Sequence, residues 1–136
     1  MIEICDMNSV VKKILKTLLI VLATVAILFF AFHAWFIYES DFKKTVIFSE
    51  TYSGEPYELV VSEVGSAFIF SPSDVEIELK RKGETIYKKK TGVGNDGKAL
   101  SKEMNFKTEW SDEKLIAIVM GEEQNDEIIE IELKKQ

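Results

Sequence analysis

The stretch DVEIELKRKGETIYKKK, residues Asp74 to Lys90, reads as two strands and the turn that joins them. Val75, Ile77 and Leu79 alternate with Glu76, Glu78 and Lys80, so a period of two puts the apolar set on one face and the charged set on the other. KGE at 82–84 is a turn signal, and TIYKKK resumes an extended pattern. Folded as a hairpin about Gly83, the stretch brings Lys80, Arg81 and Lys82 against Lys88, Lys89 and Lys90. Six cations against Glu84 form a local basic patch, which reads as a docking surface for lipid headgroups or an anionic wall polymer. Two other readings explain the same lysines. They guard an edge strand against pairing with other chains, or they neutralise Glu76 and Glu78 on the neighbouring strand.

Downstream, EIIEIELK repeats the alternation, with Ile129, Ile131 and Leu133 inward and Glu130 and Glu132 outward. KLIAIVM, Lys114 to Met120, is apolar on both faces and is expected at the centre of a sheet. KTVIFSE, YELVVSE, AFIFS and NFKTEW are further candidate strands, and turn signals fall at 53–56, 71–74, 111–114 and 121–126. The expected fold is a small all-β domain over residues 45–136, an antiparallel sandwich or partly closed barrel, with Phe68, Phe70, Phe106 and Trp110 as core aromatics.

Just after the hairpin, TGVGNDGK (91–98) matches two nucleotide motifs, G-x-G-x-x-G and most of the P-loop. Their context is wrong. A dinucleotide site needs a buried strand before the glycines and a long helix after them. Here three lysines precede, and KALSKEMNF leaves barely two helical turns. Ala99 stands where the P-loop hydroxyl would hold Mg²⁺. An EF-hand alignment on Gly97 fails too, because Gly92 and Gly94 fall at ligand positions. The residues instead suit a turn with left-handed backbone.

Upstream of the β pattern, TLLIVLATVAILFFAFHAWFIY, Thr17 to Tyr38, runs for 22 residues without a charge. As a helix that is about 33 Å, close to the hydrocarbon thickness of a bilayer. FHA before Trp35 lacks the small-x-small pattern of a cleavage site, so an uncleaved signal anchor is expected. Trp35 and Tyr38 fall where aromatic rings favour the membrane interface, and Lys12, Lys13 and Lys16 precede the span as its basic flank. Lys43 and Lys44 follow it, and three lysines against two favour a cytoplasmic amino end. The expected organisation is a cytoplasmic tail (1–16), a transmembrane helix (17–38), a juxtamembrane linker (39–44) and an extracytoplasmic β domain (45–136). MNSVVKKILK also begins as signal anchors do, which makes Met7 a second candidate initiator.

Residues 41–136 hold 14 Lys or Arg and 20 Asp or Glu, so the net charge of −6 belongs to the part of the chain after the span. That balance opposes nucleic-acid binding, which needs excess positive charge. His33, the sole histidine, lies within the span, and Cys5, the sole cysteine, precedes it. A histidine-based catalytic or metal site in the β domain is thereby excluded, and that domain, without a thiol, can form no disulfide. No cofactor, metal or enzymatic activity is expected. The partners expected are membrane lipid and either a membrane protein or an anionic cell-wall polymer.

SPSDVEIELKRKGETIYKKK (71–90), with NDGKALSKEMNFKTEWSDEKLIAIVMGEEQNDEIIEIEL (95–133), resembles small uncharacterised membrane-anchored or lipid-anchored proteins of low-GC Gram-positive bacteria. The resemblance covers roughly 55–134. It implies a surface-facing β domain and supplies no site. Together these readings give a non-catalytic envelope binding module. The alternatives are a regulatory or immunity-type protein acting through its span, and an accessory subunit of an envelope enzyme or secretion system.

Overall fold

The computed structural model describes residues 2–53, 56–66 and 71–133, with side chains from Asn8 onward. The chain divides into two compact units, Met1–Ile37 and Tyr38–Gln136.

The first unit is one helix, α1 (Ile2–Ile37). Residues 2–16, read from sequence as a tail, continue the helix. The segment Asn8–Phe42 has a hydropathy of 2.6 and is long and apolar enough to cross a membrane. Its two hydroxyls need no outside partner. Thr17 Oγ1 donates to the Lys13 carbonyl at 3.0 Å and Thr24 Oγ1 to the Ile20 carbonyl at 2.8 Å. Backbone carbonyls of the same helix thus satisfy groups that would be costly in hydrocarbon. His33 stacks on Phe29 one turn earlier, with ring centroids 6.2 Å apart.

The second unit begins with a π-helical turn, Tyr38–Phe42. It is fastened to the end of a strand instead of forming a free linker. The Gly65 amide donates to the Lys43 carbonyl at 2.6 Å and the Ser66 amide to the Ser40 carbonyl at 3.2 Å. Gly65 has φ +74, and a Cβ there would lie 1.8 Å from Ser40 O, so only glycine permits this approach.

Sheet A comprises β1 (Lys44–Thr51), β2 (Tyr57–Val64), β3 (Ser73–Arg81) and β4 (Glu84–Val93), antiparallel and in chain order. Sheet B comprises β5 (Phe106–Trp110), β6 (Lys114–Val119) and β7 (Glu127–Glu132), with a short helix α2 (Lys102–Asn105) before it. The doubly apolar β6 is the central strand, as its composition implied. One hydrophobic cluster joins the sheets, with Leu59, Val61, Val75, Ile77 and Leu79 from sheet A and Leu115, Ala117, Val119, Ile129 and Ile131 from sheet B. Two antiparallel sheets sharing one core make a sandwich-like domain. Phe106 is buried in that core and Trp110 half-buried beside it. The strand expected at 67–70, with Phe68 and Phe70, lies outside the described residues.

The β3–β4 hairpin has two local irregularities. Its loop is Lys82-Gly83 with φ +50 and +83, the left-handed pair of a type I′ turn. Its pairing slips between Leu79 and Lys80, which face Tyr87 and Thr85, so Ile86 is left over as a bulge on edge strand β4.

The glycine-rich loop forms a turn, with φ +44 at Asp96 and +71 at Gly97. Asn95 holds it together. Its Nδ2 donates to the Lys98 and Ala99 carbonyls at 2.9 and 3.1 Å, and its Oδ1 accepts from Asn105 Nδ2 at 3.3 Å. Asn105 also donates to the Met120 carbonyl at 3.2 Å and accepts from the Ser101 amide at 3.1 Å. Both asparagines are buried, and this mutual satisfaction removes the cost of burying them.

Candidate functional site

The hairpin divides the six cations into two groups. Lys88 and Lys90 lie across from Glu78 and Glu76 in the β3–β4 register, so all four side chains share the outer face of sheet A. Glu76 is only 1% exposed, covered by the lysine stems around it. It accepts a hydrogen bond from Lys44 of β1, and Lys88 Nζ lies 3.0 Å from its second oxygen. That oxygen lacks a well-directed hydrogen bond, so the contact with Lys88 is an ion pair by distance alone. Lys90 completes the ring at 3.9 Å, and Lys88 also reaches Glu78 at 3.5 Å. Desolvation would raise the Glu76 pKa, but the neighbouring Lys44 and Lys88 ammonium groups outweigh it and hold the carboxyl below its ordinary value. Lys89 points to the other face, opposite Ile77, and pairs with Glu127 of β7 at 2.6 Å. The contact with Lys89, aided by a hydrogen bond from Thr91, lowers the pKa of Glu127. All three lysines are thus engaged with the fold's own carboxylates.

A second carboxylate ties the opposite side of the sandwich. Glu50 of β1 accepts hydrogen bonds from Trp110 Nε1 at 2.9 Å, Thr108 Oγ1 at 2.8 Å and Lys102 Nζ at 2.9 Å. Desolvation opposes its ionisation, and these three donors more than compensate, so its pKa falls. Phe48 against Phe106 and Tyr52 stacked on Trp110, at 5.5 and 5.3 Å, fill the same side with rings.

The remaining cations sit at the hairpin's tip, where the side between edge strands β4 and β7 stays open. A cavity of about 460 Å³ there is lined by Tyr57, Arg81, Ile86, Tyr87, Glu130, Ile131 and Glu132. A neighbouring hollow of about 390 Å³ shares Arg81 and Ile86 with it and adds Lys82 and Glu84. Arg81 follows Ile77 and Leu79 on the inward face but comes at the strand end, so its head reaches the mouth of the sandwich. Its Cζ lies 5.3 Å from the Tyr57 ring centroid, within range of a cation–π contact. Its Nε is buried and has no acceptor among the described residues. Among them no carboxylate forms an ion pair with Arg81, Lys80 or Lys82 either. A guanidinium presents its N–H groups as a rigid fork, so with Nε closed off it is the terminal nitrogens of Arg81 that can meet an acceptor in the cavity.

The residues expected as membrane anchors are all exposed. Lys12, Lys13 and Lys16 lie in the first half of α1, Trp35 in its last turn and Tyr38 at the start of the π-helical turn. Among the described residues no three His, Cys, Asp or Glu side chains are grouped to hold a metal. Sequence reasoning missed Lys44 and Glu50. Glu50 carried one faint signal, since period two from Phe48 places it inward. No protein-family model matches the chain, and neither a curated protein nor a solved structure shows significant similarity to it.

Proposed function

We propose that this chain is a single-pass membrane protein whose β domain is a non-catalytic interaction module at the cell envelope. α1 is the anchor, with the amino end in the cytoplasm and the β domain outside. The observation that carries this reading is the surface of α1. Every side chain from Asn8 to Ile37 is exposed, large apolar residues run from Val10 to Ile37, and both threonines are satisfied internally. Exposed apolar side chains in that number are stable in lipid and a liability in water. The β domain supports the second half of the reading. It offers a cavity edged by Arg81, while Lys88, Lys89 and Lys90 are paired with the domain's own carboxylates, and its partner is a membrane protein, a wall polymer or lipid.

Carbonate washing followed by labelling tests both halves of the topology. Lys107 is exposed on β5, so Lys107→Cys in a Cys5→Ser background gives one reporter thiol. The protein should stay with the membrane pellet, and a membrane-impermeant maleimide should label it on intact cells. Release into the wash would remove the anchor, and labelling only after lysis would reverse the orientation.

A further inference from the structure

We infer that the cavity between β4 and β7 is a binding site for a monocarboxylate carried on an apolar or aromatic body, with Arg81 receiving the carboxylate. This rests on reading the β domain as an interaction module and gives that module its ligand chemistry.

Three features converge on the site. First, Arg81 lines the cavity without a carboxylate partner among the described residues, and the terminal N–H groups of its planar fork match a carboxylate in two parallel hydrogen bonds. Second, Tyr57, Tyr87, Ile86 and Ile131 supply apolar wall, and about 460 Å³ lies within the usual span for small-ligand pockets, about 300–1,000 Å³. Third, the turn carries local strain beside the cavity. Lys82 occupies a left-handed position, φ +50, where Asn or Gly is the favoured residue of a type I′ turn. A lysine there gives up some backbone stability and places a second cation in the hollow beside Arg81.

The charge balance selects the class of anion. Glu130 and Glu132 line the cavity and Glu84 the hollow beside it, so the local field does not carry the excess positive charge that a phosphate dianion or a dense polyanion needs. Lys114 partly neutralises Glu130, at 3.3 Å. Arg81, Lys82 and Lys114 balance Glu84, Glu130 and Glu132 before a ligand enters, so the rim admits one negative charge, set on Arg81, and the apolar body fills the slot behind it.

The test uses full-length protein in lipid nanodiscs and the ¹⁹F resonance of N-acetyl-4-fluorophenylalanine, with empty nanodiscs as the blank. The line should broaden with the protein. The uncharged carboxamide of the same probe should bind at least tenfold more weakly, and so should the acid against Arg81→Gln. Arg81→Lys, which keeps the charge and loses the fork, should bind several-fold more weakly than the parent. N-acetyl-leucine and octanoate then compete separately. Displacement by the first marks a peptide-type carboxyl terminus and by the second an acyl-type one, and either supports the inference. Equal binding of acid and carboxamide, full retention in Arg81→Gln, stronger competition by inorganic phosphate, or no broadening at millimolar probe would overturn it. Those results would leave the membrane topology intact, since labelling at residue 107 reads the anchor independently of the cavity.

Discussion

The two sides of the sandwich solve the same problem differently. Between β1 and β5, Glu50 gathers three donors from sheet B and its α2 flank, aromatic pairs fill the space, and the side is closed. Between β4 and β7, Glu127 ties one end through Lys89 and Thr91, while the other end is left as a cavity edged by Arg81. Neighbouring cations in one hairpin therefore meet opposite fates. Register sends Lys88, Lys89 and Lys90 into the fold's own ion pairs, and the strand end leaves Arg81 and Lys82 without a carboxylate partner among the described residues.

The closed side should be the most fragile to substitution. Glu50→Ala leaves the Trp110 and Thr108 donors half-buried without an acceptor, at a cost of about 2–3 kcal/mol. Trp110 fluorescence during thermal unfolding, in a Trp35→Phe background, reads it directly. Glu127→Ala should cost less, about 1 kcal/mol, because its partners regain water more easily at the open side. If the two variants melted together, the contrast between the sides would be lost.

Acid should expose the same ties. The pKa values of Glu50, Glu76 and Glu127 are lowered from 4.5 in the folded state, so their stabilisation is complete above that pH and is lost as pH falls through the folded values. Tm should therefore drop below about pH 4.5, and Glu50→Gln with Glu127→Gln should flatten that limb. Lys88→Gln with Lys90→Gln should shift the Glu76 part of the limb to higher pH, because Lys88, one of the two ammonium groups holding it ionised, is gone while Lys44 remains.

The smallest effect has the opposite sign. Lys82→Asn relieves a left-handed lysine and should stabilise the hairpin by about 0.5 kcal/mol. The same change should weaken carboxylate binding about two- to threefold, by removing a charge beside Arg81 rather than the fork itself. A gain in Tm with no change in affinity would mean that Lys82 has no part in the site.

Strands such as β3 and β7 were legible because apolar and charged residues alternate along them, and the central position of β6 because both its faces are apolar. Pairings between distant strands were not legible. Nothing in KTVIFSE shows that Lys44 reaches Glu76 across β2, or that Glu50 meets Trp110, since both depend on sheet order and on the bulge between Val46 and Phe48. The basic run was visible as composition. Its division required knowing that Ile86 is bulged and that Arg81 ends its strand on the inward face. Asn95, hidden among glycines that mimic nucleotide motifs, could be read as a turn residue but not as half of a buried amide pair.

The division of the basic hairpin is tested most directly by comparing Arg81→Gln with Lys88→Gln/Lys90→Gln in full-length protein, reading probe affinity and Tm on the same nanodisc samples. Arg81→Gln should lose at least tenfold in affinity with little change in Tm. The double lysine variant should keep its affinity and melt lower. The reverse pattern, with affinity lost at Lys88 and Lys90 and retained without Arg81, would contradict the account.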